Sequence, residues 1–265
     1  MEKEILIFGH KNPDTDTIGS SLVKERLNKK MGNSNCKAVR LGNINKETKY
    51  MLDYLKLEAP ELISGVEENQ EVILVDHNEF NQSADGIEKA KILEVVDHHR
   101  IANFETSEPL TYTARPYGCT STILFEDYKA NNIEISKEEA ILMASCIMSD
   151  TLILKSPTTT EHDRKALEEL EKIAGIDIKA YGLEMLKAGT DLDDFSAEEL
   201  VNLDAKSLDK NGTKFVIAQV NTVSIEDALK RQEELEEAMN NEIEKNNLDL
   251  FVLAITDILN SNSEI

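Results

Sequence analysis

The mostly aliphatic run ILEVV at 92–96 ends in Asp97-His98-His99, and this junction constrains the chain more than any other stretch. Such a run reads as a buried strand. Closing it with an acid and two imidazoles costs free energy unless those groups find a partner or a ligand. The pattern recurs twice: ILIF at 5–8 runs into GHKNPDTD, and VILV at 72–75 runs into DHNE. Three strands thus carry His10, Asp14, Asp16, Asp76, His77, Asp97, His98 and His99 to their carboxyl ends, where open α/β sheets place ligands. Four of the five histidines lie in these stretches, a concentration that points to a metal site rather than to core packing.

The rest of the chain alternates strands with helices. An amphipathic helix follows KNPDTDT, with Ile18, Leu22, Val23, Leu27 and Met31 mainly on one face and Asp16 or Thr17 as its N-cap. A strand at 36–41, a helix at 46–55 and strands at 71–75 and 92–96 come next. Helices then run over 120–130, from a Ser136/Glu139 capping box to Asp150, from a Thr160/Asp163 cap to Gly175, and over 178–187. This alternation predicts an α/β fold with a doubly wound, mostly parallel sheet. The polar stretch 188–195 reads as a linker between a first domain, 1–187, and a smaller α/β domain, 196–265. In that second domain the sequence predicts a helix at 196–203, Lys206 in a strand or turn, a strand at 214–220 and one long helix at 224–245. The helix seam would be Ile225, Leu229, Met239 and Ile243. A strand at 251–259, a turn at NSNS and the first step of a partner strand at Glu264-Ile265 follow, so an incomplete second sheet is expected.

At 265 residues the chain is long enough for two ordinary domains. The longest apolar run, AILMASCIM at 140–148, falls short of the ~20 residues of a membrane span, and no signal segment precedes the first strand. A cytoplasmic protein with no membrane partner is expected. A net charge of −22 argues against nucleic acid as well. Cys36, Cys119 and Cys146 are odd in number and widely spaced, which fits neither a disulfide framework nor a zinc ribbon. His162, at a helix start, reads as a surface histidine.

Carboxylates mixed with imidazoles and no thiolate select Mn2+, Fe2+, Co2+ or Mg2+ over structural zinc. His10, Asp14, Asp16, Asp76 and His98 are too many candidates for one ion. Two ions about 3.5–4 Å apart, bridged by a carboxylate, would use them all and lower the pKa of a shared water, which is machinery for phosphoryl hydrolysis.

The segments GHKNPDTDTIGSS, VILVDHNEFNQS, VVDHHRIANFET and SDTLILKSPT, with the stretch from EMLKAGT through LDAKSL and AQVNTV to ITDILNSNSEI, resemble family II inorganic pyrophosphatases. These are manganese-dependent members of the DHH phosphoesterase superfamily, and the resemblance covers essentially the whole chain. It implies a DHH catalytic domain and a DHHA2-like substrate-binding domain with the active site in the cleft between them. It also implies a homodimer, diphosphate as substrate, two Mn2+ per chain with Co2+ as a substitute, and Mg2+ carried by the substrate. Position by position, it implies His10, Asp14 and Asp76 for one metal, and Asp16, Asp76, His98 and Asp150 for the other, with Asp76 as the bridge. His99 matches a catalytic histidine on the substrate side, Lys206 a catalytic cation aimed at the phosphates, and Asp97 and His77 groups that orient ligands. The family's basic Ser-Arg-Lys-Lys-Gln segment lies beyond Ile265, so a weakened substrate clamp is expected. Two other readings stand beside this one. A DHH-superfamily phosphodiesterase acting on short oligonucleotides or dinucleotides would need stacking surface that a chain with 5% aromatics and no tryptophan hardly offers. A metal-binding fragment without turnover is the other.

Overall fold

The structure is a computed structural model that describes residues 4–190, 192, 195–260 and 262–265. It divides into two units, Met1–Met185 and Leu186–Ile265. The expected linker at 188–195 takes in Asp191, Asp193 and Asp194, which lie outside the described residues.

The first unit runs β1 (Ile5–Phe8), α1 (Thr15–Lys30), β2 (Cys36–Arg40), α2 (Lys46–Leu55), β3 (Glu61–Leu62), β4 (Glu71–Val75), β5 (Lys91–Asp97) and β6 (Thr111–Ala114). It continues with α3 (Thr120–Ala130), α4 (Lys137–Asp150), α5 (Glu161–Ala174) and the start of α6 (Ile178–Gly189), whose residues from Leu186 on belong to the second unit and whose last two lie in the stretch read as linker. The sheet has the order β3-β2-β1-β4-β5-β6 with every pairing parallel, the doubly wound arrangement the sequence predicts. Strand order reverses between β1 and β4, and a crevice opens at such a switch point. Side chains alternate across the sheet. Ile5, Ile7, Ile73, Val75 and Val96 enter a core shared with α1, α3, α4 and α5, while Phe8, Val72, Leu74 and Val95 enter a second cluster with Phe80, Phe104 and Tyr112. Burial on both faces is why these strands read as unbroken apolar runs. β3 and β6 escaped the sequence reading because they are a two-residue and a polar, half-exposed edge strand.

The capping boxes at Ser136/Glu139 and Thr160/Asp163 form as expected, and Gly175 ends α5 in the left-handed conformation at φ 63°. The cap of α1 differs. It is Asp14, whose Oδ1 accepts from the Thr17 amide at 2.9 Å, so Asp16 sits buried inside the first turn and turns toward another helix. Cys36, Cys119 and Cys146 are free and buried. No described helix is long and apolar enough to cross a membrane.

The second unit holds α7 (Ala197–Asn202), β7 (Ala205–Lys210), β8 (Thr213–Thr222), α8 (Ile225–Leu229), α9 (Gln232–Asn246), β9 (Leu250–Asp257) and β10 (Asn262–Glu264). Its mixed sheet runs β10-β9-β8-β7. β7 and β8 form a hairpin over Asn211-Gly212, both at positive φ, as a tight Asn-Gly turn requires. The expected single helix at 224–245 is two helices. Arg231 leaves helical geometry and its guanidinium donates to the Leu192 and Phe195 carbonyls at 2.8 and 2.9 Å, which draws the chain out of line. Of the expected seam, Ile225, Met239 and Ile243 pack against the core and Leu229 is exposed, while Ala228, Leu235 and Ala238 are buried beside them. β10 begins inside the predicted NSNS turn, because the Asp257 carboxylate takes the amides of Leu259 and Asn260 at 2.8 and 2.9 Å and closes the reversal earlier.

Helix α1 packs on α4 at Gly19, where an added Cβ would lie 2.1 Å from Cys146 Sγ. Gly19→Ala should therefore destabilise the protein by about 2 kcal/mol through overpacking, read in urea unfolding. Adding Cys146→Ala should recover most of that loss; failure to recover would place the strain elsewhere.

Candidate metal centre

The three strand ends meet at the switch point. β1 leads through Gly9, where a Cβ would lie 2.5 Å from Thr17 Cγ2, so glycine lets the first turn of α1 sit against the strand end. His10 follows in the loop after β1, Asp14 caps α1 and Asp16 lies in its first turn. β4 hands over to Asp76, whose φ of 58° is in the left-handed region that Asp tolerates better than most residues. Its amide donates to the Val96 carbonyl of β5 at 3.0 Å, next to His98 and His99. Asp150 arrives from a different direction, at the end of α4.

Asp76 is fully buried and divides its carboxylate between two groups. Oδ2 lies 3.6 Å from His10 Nε2, which lies 3.5 Å from Asp14 Oδ2. Oδ1 lies 3.4 Å from His98 Nε2, which lies 3.7 Å from Asp150 Oδ2. Thr17 Oγ1 donates to Oδ2 at 2.7 Å and Thr120 Oγ1 to Oδ1 at 3.1 Å. Among the described residues, His10, Asp14 and Asp76 offer one set of ligand atoms within 4.8 Å of one another, and Asp16, Asp76, His98 and Asp150 another; Asp76, His98 and His99 form a third, overlapping set. The imidazole-carboxylate spacings mostly exceed a good hydrogen bond and match neighbouring ligand atoms around an ion with bonds of roughly 2.1 Å. Oxygen and imidazole donors without sulfur suit Mn2+, Co2+ or Mg2+. The sets that meet in space contain His10, Asp14, Asp16, Asp76, His98 and Asp150, the last of which only the resemblance had implied.

Neighbouring groups hold these side chains in place. Asp16 accepts from the Thr120 amide at 2.7 Å, the Ser121 amide at 3.2 Å and Ser20 Oγ at 2.6 Å, so it caps α3 from another helix, where the local N-cap Cys119 supplies nothing. His98 places Nδ1 3.1 Å from the Tyr117 carbonyl; assigning the proton there leaves Nε2 as the donor toward an ion. Asp97 accepts from His99 Nδ1 at 2.9 Å and from Asn78 Nδ2 at 2.6 Å, so it orients His99 rather than His98. His77 orients none of the metal-set residues: its ring nitrogens face the Val75 carbonyl and Ser83 Oγ, each at 3.0 Å. His162 stays outside all three sets, stacked on Tyr117 with ring centroids 4.2 Å apart. Beside the centre a cavity of about 260 Å³ is lined by His10, Asp76, Glu79, His99 and Arg100 among others. Lys206 is exposed on β7 of the second unit, opposite Ile217.

Sequence reasoning missed Thr17, Ser20, Thr120 and Ser121, the hydroxyls and amides that hold the carboxylates, and also Asn78, Arg100 and Glu47. Their signal is faint. Thr17 and Ser20 lie within four residues of Asp16, but nothing local shows that Thr120 and Ser121 meet it across 104 residues or more.

Clustered acids shift one another. Burial, then the charges of Asp16 and Asp14, push Asp76 up to about 7, and burial with Asp16 and Asp76 raises Asp150 well above the usual carboxylate range. Burial opposes charge on His98, yet the adjoining Asp76 and Asp16 raise it to about 9. His99 rises through its bond to Asp97. Burial depresses His77 to about 4 and keeps it neutral.

Fold and site together define a DHH-type protein: residues 4–147 match the model of the DHH family N-terminal domain, and 183–265 the DHHA2 domain. A manganese-dependent inorganic pyrophosphatase of Bacillus subtilis (strain 168) is 56% identical over 264 residues, 99% of this chain and 85% of that protein. An Exiguobacterium protein assigned to the same activity is 56% identical over 261 residues, covering 98% of this chain and 84% of its own. The crystal structure of a Methanococcus jannaschii protein assigned to family II inorganic pyrophosphatase superposes with a TM-score of 0.71 at 37% identity, over 97% of this chain and 85% of that one. The chain belongs to the manganese-dependent, family II inorganic pyrophosphatases.

In the metal-free protein Asp76 keeps a proton to about 7 and His98 to about 9, against 3.8 and 6.5 for the ordinary groups. The folded state then binds more protons than the unfolded one between pH 6.5 and 9, so stability must fall as pH rises through that window. The depressed His77 acts only below 6.5. Thermal midpoints of EDTA-treated protein should drop from pH 6.5 to 9, and excess Mn2+ should flatten the slope; rising midpoints would contradict this charge assignment.

Proposed function

We propose that this chain hydrolyses inorganic diphosphate to two orthophosphates with two Mn2+ bound per chain, Co2+ serving as a substitute and Mg2+ accompanying the substrate. The observation that carries the reading is the Asp76 carboxylate, with one oxygen toward His10 and Asp14 and the other toward His98 and Asp150. His10, Asp14 and Asp76 would hold one ion, and Asp16, Asp76, His98 and Asp150 the other. Bound there, the ions would supply a water of lowered pKa and neutralise phosphoryl oxygens. The protein's own part is to keep that array rigid and to manage protons. Thr17 and Thr120 fix the bridge, and the Tyr117 carbonyl fixes the tautomer of His98. His99, at the cavity wall with Nδ1 committed to Asp97, is the catalytic residue that donates from its other nitrogen to the leaving phosphate. Residues 1–187 act as the catalytic domain and 196–265 as the substrate domain, from which Lys206 adds a cation against the charge of diphosphate. The protein works as a cytoplasmic homodimer.

Phosphate release from diphosphate should require Mn2+ or Co2+, and dinucleotides should yield none. Asp76→Asn should weaken both ions together in calorimetry, whereas His99→Gln should retain two ions and lose ~10²-fold in kcat. Loss of a single ion in Asp76→Asn would remove Asp76 as the bridge, and turnover of dinucleotides instead of diphosphate would overturn the substrate.

A further inference from the structure

We propose that Glu47 is a positioning residue, a clasp between the start of α1 and the end of α4 that sets the spacing of Asp14 and Asp16 against Asp150. The inference rests on the two-metal reading above. His10, Asp76 and His98 lie within two residues of paired strands, so the sheet ladder places them. Asp14, Asp16 and Asp150 have no such ladder and sit at helix ends 134 or more residues apart in sequence. Glu47, in the first turn of α2, spans them: Oε1 accepts from Thr15 Oγ1 at 2.7 Å and takes a short hydrogen bond from Ser149 Oγ. Thr15 lies between Asp14 and Asp16, and Ser149 precedes Asp150. Thr48 Oγ1, one residue along α2, lies 3.2 Å from Thr15 Oγ1 and adds a second point of attachment.

Beyond Asp150 the chain leaves through Leu152, Ile153 and Leu154 at φ 47°, 56° and 62°. Three left-handed residues in a row cannot continue α4, so a displaced Asp150 has no helical extension to absorb the shift. Packing of α4 on α1 sets the helix, and the Glu47 hydrogen bond to Ser149 adds the tether beside Asp150 itself. Glu47 belongs to none of the ligand sets among the described residues, so it acts through its neighbours rather than on an ion.

The test measures Mn2+ binding to the full chain by calorimetry, with the exchange-coupled spin signal of paired ions as a second readout. Glu47→Ala should weaken Mn2+ ~10–100-fold at both sites and broaden the coupled signal, as loss of an orienting neighbour does. Glu47→Gln keeps an oxygen acceptor and should return affinity to within ~3-fold of the parent. Ser149→Ala, which removes one hydroxyl, should weaken binding in the same direction, with little further loss when combined with Glu47→Ala. Parental affinity and an unchanged signal in Glu47→Ala would overturn the clasp, and so would a Glu47→Gln chain as weak as Glu47→Ala. Should Glu47→Ala fail to fold, Ser149→Ala decides alone, and parental affinity there overturns the proposal. A parent chain that binds no Mn2+ would instead sink the two-metal reading.

Discussion

The shared carboxylate of Asp76 is the constraint on which the centre depends. It is buried just past the carboxyl end of the central strand β4, on a backbone in the left-handed region, and each oxygen already takes one hydroxyl, from Thr17 on α1 or Thr120 on α3. Those bonds tie two helices to the end of β4, so the group that divides the centre also fastens the layer above it. Acids packed this closely repel, and without cations the protein relieves the strain by retaining protons on Asp76 and Asp150. Fold and metal chemistry are thus one electrostatic problem.

The sheet solves the positional half of that problem. Parallel strands in the order β3-β2-β1-β4-β5-β6 put three carboxyl ends side by side, and each end releases its polar residues at the same level. Helix ends solve the other half, through Asp14, Asp16 and Asp150.

What could be read from the amino acids follows this division. β1, β4 and β5 announce themselves as apolar runs because they are covered on both faces, and their terminal acids and histidines stand out against that background. The long-range relations do not announce themselves. Asp150 reads locally as a helix end, and only the resemblance pointed to it. Asp16 looks like a cap of its own helix but caps α3. His77 looks like a metal-site residue because it follows Asp76, yet the chain's turn sends its ring down to Val75 and Ser83. In the second unit the break at Arg231 depends on carbonyls 36 and 39 residues earlier, which helical periodicity cannot register. Local pattern is visible where burial dictates composition, and lost where one hydrogen bond across the fold decides.

The double duty of Asp16 has a kinetic side. Its carboxylate already receives two amides from the positive end of α3, so a cation held by the same oxygens faces a partial charge of its own sign. An opposing helix end is worth about 0.3–1 kcal/mol, or roughly a two- to fivefold faster escape. Asp14 meets a helix end too, but through a single amide, that of Thr17 in α1. If two like ions are held there, two amides against one would set them exchanging with solvent on different clocks, and a change of metal supply would then pass through a mixed pair.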